Sequence, residues 1–307
     1  MIQNMRHFIL SGLLLLSITV LAQQEAMYSQ YMFNTTAVNP AYAGSREVFS
    51  ATLLARAQWL GIDGAPVSQT LSMDAPLSNK KVGAGLILFN DRIGLTHNVG
   101  MHGSYAYRIR LKKSTLSMGL KLGMIQYTAN LNQATLSVGN TTDDAGFQKN
   151  VTAWIPSAGG GIYINSDKYY FGASIPNFYS TQISKDVEIK VNRNEHLFIM
   201  AGYVFSVNSD IKIKPSTLLK FVAGAPMELD LNTNVWFYDV LGLGVSYRTG
   251  DAIVGMFELQ VQNNFRVGYA YDYTTSNLSK YNSGTHEIIL RYEFGFGKTK
   301  VITPRYF

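Results

Sequence analysis

The sequence predicts an all-β protein: a transmembrane antiparallel β-barrel of about fourteen strands, with a short N-terminal segment at its periplasmic mouth or in its lumen. Three observations predict it. From about residue 46 onward, segments of roughly ten residues alternate apolar and polar side chains and are separated by turn residues. An apolar leader opens the chain, and no later apolar run approaches the ~20 residues that a membrane-crossing helix needs. Charged residues make up only 15% of the chain, against 19 Tyr, 16 Phe and 27 Gly. That balance is too aromatic and too poor in charge for a disordered chain, and it suits a wall facing lipid.

The first element is the leader. Arg6 and His7 give a polar start, Phe8 to Val20 an apolar stretch, and Val20-Leu21-Ala22 a small-residue cleavage site. Residues 1–22 therefore read as a secretory signal peptide cut after about Ala22. Residues 23–45 form a polar-aromatic segment, 46–297 the barrel and 298–307 a tail.

The expected strands are 46–59, 65–75, 82–92, 95–109, 114–128, 152–165, 168–176, 195–206, 211–222, 227–238, 241–249, 252–260, 264–273 and 285–296. Several split into two chemical faces. Ile288, Leu290, Tyr292 and Phe294 oppose Glu287, Arg291 and Glu293. Phe265, Val267, Tyr269, Tyr271 and Tyr273 oppose Arg266, Gly268, Ala270 and Asp272. Leu241, Leu243, Val245 and Tyr247 oppose Gly242, Gly244, Ser246 and Arg248. A strand crossing a bilayer needs this pattern, apolar outward and polar inward, and only a closed barrel satisfies its backbone groups in lipid. The inward set then includes Arg56, Asp74, Lys121, Asp230, Arg248, Arg266, Asp272, Arg291 and Glu293, mixed charges expected to form a structural ion-pair network across the lumen. Three long connections, 129–151, 177–194 and 274–284, all follow odd-numbered strands, which puts them on the extracellular side if the first strand starts in the periplasm.

No catalytic, metal or cofactor site is expected. Cys is absent, which removes thiol nucleophiles, thiolate metal sites and lipoprotein acylation. His102 and Ser104 share a strand face, but polar residues two apart are ordinary on a lumen face. Asp230-Leu231-Asn232-Thr233-Asn234 opens like a calcium loop, yet Val235 and Leu241 stand where Gly and Glu are needed. The runs Gly83-Ala84-Gly85 and Gly159-Gly160-Gly161 lack the following Lys-Ser/Thr and helix of a phosphate loop. Glycines on a barrel strand instead permit curvature and close packing. The net charge of +6 is scattered, with no stripe to suggest nucleic acid.

A family resemblance rests on blocks in order along the chain: YSQYMFNTTAVNPAYAGS (28–45), GIDGAPVSQTLSMDAPL (61–77), VGAGLILFNDRIGLT (82–96), KPSTLLKFVAGAPMELDLN (214–232) and GYAYDYTTSNLSKYNSGTHEIILRYEFG (268–295). These resemble the PorP/SprF family of Bacteroidetes outer-membrane proteins. The resemblance implies an outer-membrane component of the type IX secretion system and gliding machinery. Its implied partners are outer-membrane lipids, the periplasmic lipoproteins and ring components of that machine, and a secreted adhesin with a C-terminal sorting domain. The expected role is a non-catalytic adaptor for export or surface attachment. The alternative is a porin or transporter for a small solute. Residues 23–45 are too polar for a lipid-facing strand and too aromatic for a tether. They are expected to fold into the lumen or across its periplasmic mouth through Tyr28, Tyr31, Phe33, Asn39, Pro40 and Tyr42.

Overall fold

The computed structural model describes residues 27–77, 80–133, 150–179, 195–223 and 225–295. The leader, the tail and most of the connections 129–151 and 177–194 lie outside the described residues. The strands are β1 (Phe49–Ala57), β2 (Val67–Pro76), β3 (Val82–Ile93), β4 (Thr96–Arg110), β5 (Thr115–Ala129), β6 (Val151–Asn165), β7 (Tyr169–Tyr179), β8 (His196–Tyr203), β9 (Phe205–Ser206), β10 (Ile211–Val222), β11 (Glu228–Phe237), β12 (Leu241–Arg248), β13 (Ala252–Gln262), β14 (Phe265–Thr274) and β15 (Thr285–Phe294). Each pairs antiparallel with its neighbours, and β1 pairs with β15, so the sheet closes on itself.

β8 and β9 together are one stave, which leaves a barrel of fourteen. The predicted strand 195–206 breaks at Val204 because of its neighbour. The register on β10 is continuous across the break, from Ser216↔Gly202 to Ile213↔Phe205. Pro215 stands inside that gap and has no N–H to give the ladder. The predicted first strand, 46–59, is shorter at both ends. Glu47 (φ 57°) and Trp59 (φ 47°) adopt left-handed backbone conformations that end the extended run.

Alternation sorts the side chains as the two-residue period requires. On β5, Leu116, Met118, Leu120, Leu122 and Met124 face outward, while Ser117, Gly119, Lys121 and Ile125 face inward. Leu120 and Leu122 are 66% and 69% exposed, an apolar surface that only lipid can cover. At about 3.4 Å per residue and the ~40° tilt usual for such barrels, Leu116 to Met124 rises roughly 21 Å, most of the ~25 Å apolar band of outer-membrane barrels. Above that band the outward positions of β2–β6 turn polar: Gln69, Asn90, His97, Gln126, Thr128 and Thr152. Asn90 Nδ2 donates to Gln69 Oε1 at 3.2 Å and Asn90 Oδ1 meets His97 Nε2 at 2.5 Å, so these side chains bond along the wall.

The two ends of the barrel differ. At one end the connections are short: 77–81, 111–114, 166–168, 207–210, 238–240 and 263–264. At the other end lie 130–150, 180–195 and 275–284. We refer to these as the turn end and the loop end. β1 starts, and β15 finishes, at the turn end.

Position within the band decides what a charge costs. Leu122→Arg is expected to destabilise the barrel by about 2–4 kcal/mol and Gln126→Arg by about 0–1 kcal/mol. Reversible denaturant unfolding from bilayers checks the difference.

Candidate functional site

Residues 27–46 occupy the lumen. Three short helical turns, Tyr31–Phe33, Thr35–Val38 and Pro40–Tyr42, fold them into a compact plug. Short helical turns satisfy part of their own backbone, and the wall binds the amides of Ser29, Gln30 and Gly44 and the carbonyl of Val38.

The outer clasp is built from residues that sit opposite one another in the sheet. Arg56 on β1 faces Glu287 on β15, and Arg248 on β12 faces Asp230 on β11. Arg56 Nη1 reaches Glu287 Oε2 at 3.1 Å and Nη2 reaches Asp272 Oδ2 at 2.8 Å. Arg248 binds both oxygens of Asp230, Nε to Oδ1 at 3.0 Å and Nη2 to Oδ2 at 3.1 Å. All these groups are almost completely buried. The plug enters as a sixth partner. The backbone N–H groups of Ser29 and Gln30 donate to the two oxygens of Glu287 at 3.0 and 2.8 Å. Ser29 Oγ donates to Asp272 Oδ2 at 2.6 Å and accepts from Arg56 Nη1 at 2.9 Å. Two guanidinium groups against three carboxylates leave an excess of acceptors, and the amides and hydroxyl of the plug supply the missing donors.

The inner cluster has the opposite balance. Arg46 pairs with Glu293, and Arg266 with Glu258 at 2.9 Å. Arg291 donates from Nε to Thr52 Oγ1 at 3.3 Å and lies over the Phe33 ring, whose centroid is 5.7 Å away. Lys214 approaches the same ring at 5.8 Å, and Arg266 lies 4.8 Å from Trp236. Cations are in excess here, and aromatic faces from the plug and the wall attract them. Asp74 holds the plug's far end, accepting from Gly44 N at 2.8 Å and Thr36 Oγ1 at 3.2 Å.

The remaining wall seats the plug by being small. A Cβ on Gly83 would run into the carbonyl oxygen of Ala43, and one on Gly119 into the main chain of Pro40 and Ala41. A Cβ on Gly172 would lie 2.9 Å from Asn39 Nδ2. Asn39 Nδ2 donates to Ile162 O at 2.9 Å, and its Oδ1 accepts from Ala41 N at 3.0 Å. Asn232 Nδ2 donates to Tyr31 Oη at 2.9 Å, and Tyr28 Oη meets Thr70 Oγ1 at 2.8 Å. Tyr42 stacks edge-on against Tyr163, with centroids 5.4 Å apart. Tyr31 and Tyr42 are both almost completely buried.

Of the predicted inward charges, the structure brings Arg56, Asp230, Arg248 and Asp272 together at the outer clasp. Arg266, Arg291 and Glu293 belong to the inner cluster. Asp74 binds the plug directly. Lys121 is buried on β5, between Ser104 and Gly159 of the flanking strands, four strands round the wall from β1. Tyr28, Tyr31, Phe33, Asn39, Pro40 and Tyr42 all lie in the plug. Sequence reasoning placed Glu287 on the inward face of the last strand but did not single out Arg46, Glu258 or Ser29. The strand period already puts Glu287 inward, but nothing in the sequence marks a backbone amide as its partner.

Residues 20–292 match the family model described as type IX secretion system membrane protein PorP/SprF. No curated relative matches the chain. Among solved structures, the Ralstonia pickettii toluene transporter TbuX is similar at 11% identity and a TM-score of 0.51, over 85% of this chain and 93% of that one. The Acinetobacter baumannii outer membrane protein Omp33 is similar at 10% identity and a TM-score of 0.45, over 81% of this chain and 98% of that one. The likeness to TbuX is one of fold.

Two outcomes follow from the packing. Glu287→Ala strands two plug amides and removes one of the two carboxylates on Arg56, and is expected to cost about 3–5 kcal/mol, read by denaturant unfolding. Gly119→Val pushes Pro40–Ala41 off the wall without touching the outward face. The variant barrel is expected to conduct ions in planar bilayers where the parent does not.

Proposed function

Because the chain belongs to the PorP/SprF family of type IX secretion system membrane proteins, we propose that it is a plugged outer-membrane barrel acting as a non-catalytic adaptor. In this reading it works through protein contacts at its two ends and supports the export or surface attachment of large proteins with a C-terminal sorting domain. The observation that carries the reading is the plug: residues 27–46 are bonded to the wall at both ends by buried carboxylates. A channel would need that lumen free.

The uniformly short turns support a turn end in the periplasm and a loop end outside the cell. The turn end carries an uneven charge. Lys80, Lys81, Arg110, Lys112, Lys113 and Lys168 lie exposed on the turns and strand ends of β2–β7. Glu47 sits among them, 3.6 Å from Lys80, Arg108 and Arg110. This basic rim is suited to an acidic face on a periplasmic component of the machine, and such a contact steers association as well as holding it.

Deleting the gene and profiling surface and culture-fluid proteins by mass spectrometry tests the adaptor role. Loss of one or a few large sorting-domain proteins is expected. Untouched export with reduced uptake of a small solute would favour the transport alternative. Replacing Lys80, Lys112, Lys113 and Lys168 with Glu is expected to reduce co-purification of periplasmic components at least tenfold, with barrel folding unchanged by heat-modifiable migration.

A further inference from the structure

The plug has a direction. Ser29 and Gln30 bind Arg56, Glu287 and Asp272, which lie within two residues of the loop-end termini of β1, β15 and β14. Tyr31 and Val38 meet Asn232 and Ser174, in the middle of β11 and β7. Asn39 and Gly44 meet Ile162 and Asp74, within three residues of the turn-end termini of β6 and β2. From Gly44 the chain continues into β1, which starts at that same end. The segment thus runs the height of the lumen, from the loop end down to the turn end.

We infer that this protein is a threaded barrel: its N-terminal end passes up through the lumen and is presented at the cell-surface mouth, while its last strand finishes at the periplasmic face. Chain length makes the alternative route impossible for the mature protein. With the leader cut after about Ala22, six residues precede Ser29. Fully extended they span at most about 20 Å, less than the ~25 Å apolar band they would have to recross. The clasp also explains how the end is kept there. Glu287 takes two successive main-chain amides, so it grips the backbone whatever side chains precede it.

This inference rests on the orientation proposed above, and the test separates the two. The chain has no Cys, so single-cysteine variants report cleanly. A hydrophilic ten-residue insert carrying one Cys is placed after Gln24. Tyr281→Cys marks the loop end and Lys113→Cys the turn end. Intact and permeabilised cells are treated with a membrane-impermeant maleimide, with folding checked by heat-modifiable migration. The insert is expected to label in intact cells to at least half the extent of Tyr281→Cys, while Lys113→Cys labels only after permeabilisation. An insert that labels together with Lys113→Cys, or in neither state, overturns the threading. If Lys113→Cys labels in intact cells and Tyr281→Cys does not, the orientation is reversed; threading then stands only if the insert still follows Tyr281→Cys. Should the insert block folding, Gln24→Cys alone is scored by the same comparison.

Discussion

Two backbone N–H groups, those of Ser29 and Gln30, end on one buried carboxylate, Glu287, and the arrangement of the lumen depends on that contact. Without the plug's amides, Glu287 would keep only the Arg56 guanidinium, which it shares with Asp272. Without Arg56, Glu287 would lie beside Asp272 with only the plug's two amides to balance it. Desolvation makes either arrangement costly, and removing one member of a buried ionic group costs far more than the group contributes as a whole. The clasp therefore acts as a unit in which strand pairing sets the spacing. Arg56 and Glu287 are direct partners in the sheet, so closing the barrel between β1 and β15 also assembles the site that grips the plug.

The glycines have the complementary role. On β3, β5 and β7 the inner wall lacks side chains at Gly83, Gly119 and Gly172, where residues 39–43 run. Bare backbone lets the small residues Ala41 and Ala43, both fully buried, approach to contact distance. The opposite wall, β11–β15 with β1, carries the arginines and carboxylates. Apart from Asp74 on β2, which accepts from Gly44 and Thr36, one half of the barrel holds the plug by shape and the other by charge. That division accounts for the position of the plug as well as its presence.

Much of this was legible in the sequence, because the two-residue period that separates lipid from lumen is strict. Phe265, Val267 and Tyr269 against Arg266, Gly268 and Ala270 fix a strand, its length and its faces together. The same period places Arg56, Arg248 and Asp272 inward. It does not say which inward residues meet, since that depends on register around fourteen staves and on how the chain crosses the middle. The glycine runs were readable as sites of close packing, but not as a seat for residues 39–43. The break at Val204 was invisible on its own strand, because its cause, Pro215, lies on the next one. The outer clasp was the least legible part, since its donors from the plug are main-chain amides that carry no residue code.

The separation of charge along the lumen gives the plug its polarity. The loop-end clasp is rich in acceptors and is completed by backbone N–H groups. The turn-end cluster is rich in cations and is completed by the faces of Phe33 and Trp236. A segment inserted the other way would put the Phe33 ring among carboxylates, where its negative face is repelled. It would also bring the amides of Ser29 and Gln30 to a cluster in which guanidinium donors compete for the few carboxylates. Both mismatches would lie in a water-poor interior, where unmet polar groups cost most. The same charges that hold the plug in place therefore also select its direction, and with it the mouth at which the N-terminal end is found.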